Sequence, residues 1–382
     1  MTDVVLYRPS AFRPLSHLGS PREVVRQFTP NWFAAPMGTG ILALALAQVP
    51  GHLAVLRTLG EGLWMFNIGL FALFSLLYAA RWIFFFDSAK RILDHSVVSM
   101  FFGCIPMGLA TIVNGFLAFG AARWGQGAVD IADALWWLDA GLAVLCGVAV
   151  PHLMFTRQNH GLEKMTAVWL LPVVAAEVAA VSGGLLAPHL ADAHRQLTVL
   201  IASYVLWACS VPMAMSILVI LVLRMALHKL PPVGMAATSW LALGPIGTGA
   251  LGLLVLGGAA PAVFAANGLA VYGPAARGIG LIGGVLMWGY GLWWMATAVL
   301  ITLRHLQGGL PFNIGWWGYT FPLGVYAVAT LRLSTILPIP AFAVFGAAQV
   351  IALAALWLIV GARTVNGAWR GDLFYSPCLM ED

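Results

Sequence analysis

Charge is scarce in this sequence. Only 9% of its 382 residues are Asp, Glu, Lys or Arg, against roughly 25% in an ordinary soluble domain. So little charge cannot coat a globule in water. With 61% apolar residues and a mean hydropathy of +0.90, lipid is the expected solvent. Paired cysteines are missing too: Cys104, Cys146, Cys209 and Cys378 show no bridging pattern, and three lie in apolar runs, where cysteine acts as a small core residue. No basic arm or cluster explains the net charge of +5, so no nucleic-acid partner is expected. No apolar run precedes the first span, so a cleaved signal peptide is not expected either.

Chemistry-bearing motifs are equally sparse. His95, His152, His228 and His305 fall at helix ends or in loops, with no pair four residues apart to hold a metal or haem. Ser182 has no nucleophile-elbow glycine and no nearby histidine, and no phosphate-cradling loop exists for an ATP-driven pump. The sequence therefore predicts no cofactor and no enzyme.

What is present is a series of apolar runs. Crossing a bilayer core of about 30 Å takes about 20 helical residues. Ten stretches approach or exceed this: Phe33 to Val49, Leu63 to Ala80, Val97 to Phe119, Ala134 to Phe155, Thr166 to Ala187, Leu197 to Leu223, Ala236 to Leu256, Gly278 to Leu303, Ile314 to Leu331, and Ile339 to Ala362. None shows the strict alternation of a membrane β-strand. The expected architecture is an all-α polytopic membrane protein of ten transmembrane helices. A tail of residues 1–28 precedes a transport domain of 29–363, and a tail of 364–382 follows. If the loops alternate sides, the side with both termini holds fourteen Lys and Arg, and the other only Arg57, Arg123, Arg195, Arg277 and Arg332. By the positive-inside bias, both termini are expected in the cytoplasm and the protein in the plasma (inner) membrane.

Prolines add a repeat. Pro36, Pro106, Pro172, Pro245 and Pro322 lie one to each odd span, separated by 70, 66, 73 and 77 residues. The interval is one helical hairpin, so five hairpins are expected, each with one kinked and one straighter helix. A proline inside a helix deprives the carbonyl four residues earlier of its donor. Here those carbonyls belong to Trp32, Phe102, Val168, Leu241 and Gly318. Such carbonyls avoid hydrocarbon. Close packing of small residues would explain one such helix; five at one interval point to odd helices lining a central pore.

Near these kinks the polar residues are uncharged: Thr39, Thr111, Asn114, Ser182, Thr248, Thr320 and Thr330. Hydroxyl and amide donors hold an anion weakly enough to release it, and a cation pathway would carry carboxylate rings instead. Thr39 and Thr248 each follow their proline by three residues, which predicts equivalent projections. In span nine Phe321, Val325, Val328 and Arg332 form one stripe. Phe321 could plug an axial path and Arg332 attract anions at its mouth; core packing and an interfacial arginine are the alternatives. Glu177 is mid-span. It admits three readings: a protonated carboxyl, a paired one, or a proton-coupling site.

Phe28-Thr-Pro-Asn-Trp-Phe with Met37-Gly-Thr-Gly, Pro106-Met-Gly-Leu-Ala-Thr, Trp169-Leu-Leu-Pro, Gly244-Pro-Ile-Gly-Thr-Gly and Trp316-Trp-Gly-Tyr-Thr-Phe-Pro-Leu-Gly together resemble the tellurite-resistance/dicarboxylate transporter family. That family includes malic acid permeases, sulfite exporters and slow-type anion channels, and the likeness covers about residues 28–362. It implies a homotrimer whose protomers each hold five hairpins around their own pore, with a ninth-helix phenylalanine closing it. Phe321 matches that gate. Glu177 matches no family motif. The expectation is transport of a small anion, a C4-dicarboxylate such as malate first, with sulfite export or inorganic-anion conduction as the alternative.

Overall fold

A computed structural model describes residues 14–51 and 53–379. Among them every regular element is helical and none is a strand. Arg8 and Arg13, two of the fourteen basic residues on the side that holds both termini, lie outside the described residues.

Ten main helices follow one another: α1 (Ala34–Leu46), α2 (Ala54–Phe84), α3 (Cys104–Gly115), α4 (Gln126–Thr156), α5 (Leu171–Leu186), α6 (Ala193–His228), α7 (Leu243–Ala266), α8 (Gly273–Leu306), α9 (Thr320–Ile336) and α10 (Pro340–Arg370). Eight helical stretches, containing α2 to α8 and α10, are long and apolar enough to cross a membrane. α1 and α9 fall below that standard. The 13 residues of α1 rise about 20 Å, and α9 carries Thr320, Tyr326, Thr330 and Arg332 among its 17 residues.

Burial alternates along the chain. In the most apolar part of each stretch, 72%, 94% and 61% of residues are buried for α3, α5 and α7, against 17%, 22%, 33%, 28% and 28% for α2, α4, α6, α8 and α10. In α1 every residue from Ala34 to Ala45 is buried, and α9 is buried from Thr320 to Leu331. The odd helices form the inside. Even helices turn residues such as Leu76, Val148, Val219, Leu286 and Val344 outward, an apolar coat that only lipid or another apolar surface can satisfy.

The odd helices also close a ring, for α1 packs on α3, α3 on α5, α5 on α7, α7 on α9, and α9 back on α1. Glycines set each seam. A Cβ at Gly40 would strike Thr111, at Gly103 the Leu171 carbonyl, at Gly184 the side chains of Val255 and Leu256, at Gly247 the Tyr326 backbone, and at Gly38 the Thr320 hydroxyl. Backbones this close gain dispersion contact that larger residues would forbid.

Each proline stands second or third in its α-helix, and what precedes it is a different helix. Short 3-10 stretches, Pro30–Phe33, Val98–Gly103, Ala167–Leu170 and Ile314–Tyr319, lead into α1, α3, α5 and α9; the single α-turn Thr238–Leu241 leads into α7. The reason is the missing proline N–H: a tight i→i+3 turn needs no donor there. One carbonyl freed by this device, that of Phe102, faces the Cys146 thiol of α4 at 3.6 Å.

Candidate functional site

Two cavities lie against the ring, one at each end of its helices. The first, about 350 Å³, sits at the proline end and is lined by Ala34, Met37, Cys104, Leu171, Leu241 and Gly318 of the ring or its lead-in turns. The C-terminal residues Asp372, Leu373, Tyr375 and Pro377 also line it. The second, about 290 Å³, takes residues from all five odd helices: Ile41 and Leu44, Asn114, Val181 and Leu185, Leu251 and Val255, Val328 and Arg332. Arg57, Gln48 and His189 complete its rim.

The cavity-lining residues fix which side of each odd helix faces inward. On α9 they are Val328 and Arg332, and helical spacing puts Phe321 and Val325, each seven residues earlier, on the same face. On α7, Leu251 and Val255 place Gly244 and Thr248, each seven residues earlier, on that face; on α5, Leu171, Val181 and Leu185 place Val174 and Val178 there. Phe321, Val325, Thr248, Val174 and Val178 are all buried. They form a buried, largely apolar band on that face, with one hydroxyl. Gly244 and Phe321 each immediately precede a proline, so the bulky ring of α9 stands at the register where α7 has no side chain.

Polar partners divide the threonines. Thr39 accepts a hydrogen bond from Trp357 Nε1 of α10 (2.9 Å), Thr111 from Asn67 Nδ2 of α2 (3.1 Å), and Thr330 from Trp288 Nε1 of α8 (2.9 Å). Thr320 donates to the Trp317 carbonyl (2.7 Å). These four tie helices to neighbours or to their own turns. Thr248 differs: its hydroxyl is buried without a partner. The Asn114 carbonyl oxygen and the Arg332 Nε are likewise unpartnered, and both residues line the second cavity. The expected equivalence of Thr39 and Thr248 therefore does not hold; the cavity face falls at different offsets from the proline in α1 and α7.

Glu177 is fully buried and neither carboxyl oxygen has a partner. It lines neither axial cavity. Asp139 of α4 is also fully buried with both oxygens unpartnered.

Sequence comparison covers the whole ring. The model of the SLAC1 family, described as a voltage-dependent anion channel, matches residues 27–365. A sulfite efflux pump SSU1 of Arthroderma benhamiae is 39% identical over 355 residues, 92% of this chain and 93% of that protein. An uncharacterized transporter of Methanocaldococcus jannaschii is 30% identical over 93% of this chain and 97% of its own. The malic acid transport protein of Schizosaccharomyces pombe is 22% identical over 92% and 81%.

Proposed function

This chain belongs to the SLAC1 family of anion-transporting membrane proteins, and on that premise we propose that it exports sulfite, or a small inorganic oxyanion of the same class, along the axis of the five-helix ring. The observation that carries the reading is the pair of cavities at opposite ends of one closed ring, supported by a buried Phe321 on the helix that lines both ends. All ten helices span the plasma membrane in five hairpins, with the tails 1–28 and 364–382 in the cytoplasm; this follows from the fourteen-to-five division of Lys and Arg. The proline-end cavity then opens to the cytoplasm and the Arg332 cavity to the outside. Assembly as a homotrimer would cover part of the apolar coat of the even helices.

In this reading Phe321 is the gate. The anion passes Thr248, whose free hydroxyl donates to it, and reaches Asn114 and Arg332. An unpaired guanidinium at the exit draws an anion outward, and placement at the mouth avoids trapping it mid-path. Thr39, Thr111, Thr320 and Thr330 serve the pathway indirectly, by fixing how its helices stand. Sulfite takes precedence over the C4-dicarboxylate first expected because the relatives named as sulfite pumps reach 39% identity. Malate stands as the second reading, supported by the 22% identical malic acid transport protein.

The test is flux in sealed proteoliposomes with voltage and pH set independently, offering sulfite, sulfate, chloride and malate separately. Sulfite is expected to move fastest, and Phe321→Ala to raise its leak. Malate flux exceeding sulfite would reverse the substrate order. Unchanged flux in Phe321→Ala would remove the gate assignment.

A further inference from the structure

The five arginines at the outer end are not alike. Arg123 pairs with Glu61 at 3.1 Å, Arg195 pairs with Asp133, and Arg57 donates to the Ala118 carbonyl at 2.8 Å. Arg277 and Arg332 have no acidic partner among the described residues. These two converge on a third cavity, about 190 Å³, lined by Leu254, Gly258, Arg277, Leu281, Arg332 and Ile336.

The cavity lies between α7, α8 and α9, to the side of the ring. No carboxylate lines it, so nothing on its wall neutralises the two guanidinium groups. Arg332 borders both this cavity and the axial one, and its Nε is buried without an acceptor. Gly258 makes the room: a Cβ there would come within 3.3 Å of Arg332 Nη2. Two forked donors lining one gap, neither with an acidic partner among the described residues, match an oxyanion, which such donors bind in pairs.

We propose that Arg277, Arg332 and the gap at Gly258 form a second binding site for a small oxyanion, joined to the axial cavity through the shared Arg332. The inference rests on the anion-transport reading and adds to it a lateral holding site at the outer mouth. Its ligand chemistry is an oxygen-rich monovalent or divalent anion, which the free transported ion and a lipid phosphate both offer. Arg277 supplies capture, and Arg332 hands the ion between the two cavities.

The experiment uses the full chain in vesicles of phosphatidylcholine alone and of phosphatidylcholine with phosphatidylglycerol, with sulfite as probe at low and high salt. Arg277→Gln is expected to raise KM several-fold in phosphatidylcholine while the maximum rate holds, with the effect shrinking at high salt because a rim charge acts through steering. Gly258→Leu keeps both charges and fills the gap; it is expected to raise KM as well, which a diffuse positive field would not require. A wild-type KM that rises on adding phosphatidylglycerol, and no longer does in Arg277→Gln, would show lipid phosphate competing for the same site. A KM unmoved by both variants in both lipids, while wild-type protein carries sulfite, overturns the second site and leaves the axial pathway standing. Absence of wild-type anion flux overturns the transport reading itself, and this site with it.

Discussion

Thr39 and Thr248 occupy the same offset from their prolines and have opposite circumstances. The reason is rotation. In α1 the cavity residues are Ala34, Met37, Ile41 and Leu44, whereas in α7 and its lead-in turn they are Leu241, Leu251 and Val255; counted from Pro36 and Pro245, these stripes are displaced by roughly 160° at about 100° per residue. Proline spacing fixes where a helix changes type but not which way it is turned, so the sequence could name the polar residues without separating those that face inward. The consequence is measurable. Thr39→Val leaves the Trp357 indole N–H without its acceptor and is expected to cost about 1–3 kcal/mol, read as a lowered unfolding midpoint in detergent with KM unchanged. Thr248→Val deprives no protein group of a partner; it is expected to leave the midpoint in place and raise KM. Glu177 gives a third case. It faces neither axial cavity, so Glu177→Gln, which keeps the shape, is expected to preserve both flux and its response to an imposed pH gradient. Loss of that response alone would assign Glu177 to proton coupling.

At the scale of the helix, hydropathy marks the part of an element that meets lipid, and the element itself runs on. α4 begins at Gln126, eight residues before the apolar run predicts, and α10 continues to Arg370, because backbone hydrogen bonds persist where side chains have become polar. The reverse holds for α1 and α9. Their neighbours are other helices, not lipid, so their sequences need small and hydroxylated residues more than length. The glycine seams show this demand directly. Gly103 approaches α5 so closely that a Cβ would strike the Leu171 carbonyl oxygen, a backbone atom that cannot rotate aside. Gly103→Ala is therefore expected to push α3 from α5 and lower stability by about 1–3 kcal/mol, the usual range for an overpacked core. An unfolding midpoint equal to wild type would mean that this seam is looser than the contact implies.

At the scale of the whole molecule, the described segments before α1 and after α10 meet at the proline-end cavity. Residues after α10 turn at Gly371, whose φ of 92° suits glycine, and run back across the mouth. Phe374 stacks on Trp32 with ring centres 5.0 Å apart, Ser376 receives a hydrogen bond from the buried Arg81 at 3.3 Å and donates its N–H to Gln27 at 2.9 Å, and Cys378 packs with Ile92 and Val98. Arg81 also holds the Phe28 carbonyl at 2.8 Å, so one guanidinium joins the segment before α1 to the segment after α10. Nothing in hydropathy could show this, because the closing contacts pair residues from opposite ends of the sequence. Since Asp372, Leu373, Tyr375 and Pro377 wall the cavity that Cys104 also lines, the segment is expected to shield that thiol. Ending the chain at Gly371, with Cys146 and Cys209 replaced by serine, should make Cys104 react several-fold faster with a membrane-impermeant maleimide applied from the cytoplasmic side. The proper reference is the full chain carrying Cys378→Ser as well, so that Cys104 is the single thiol in both. Equal rates would mean that the tail borders the mouth without limiting access, and closure would then rest on the ring's own buried layer.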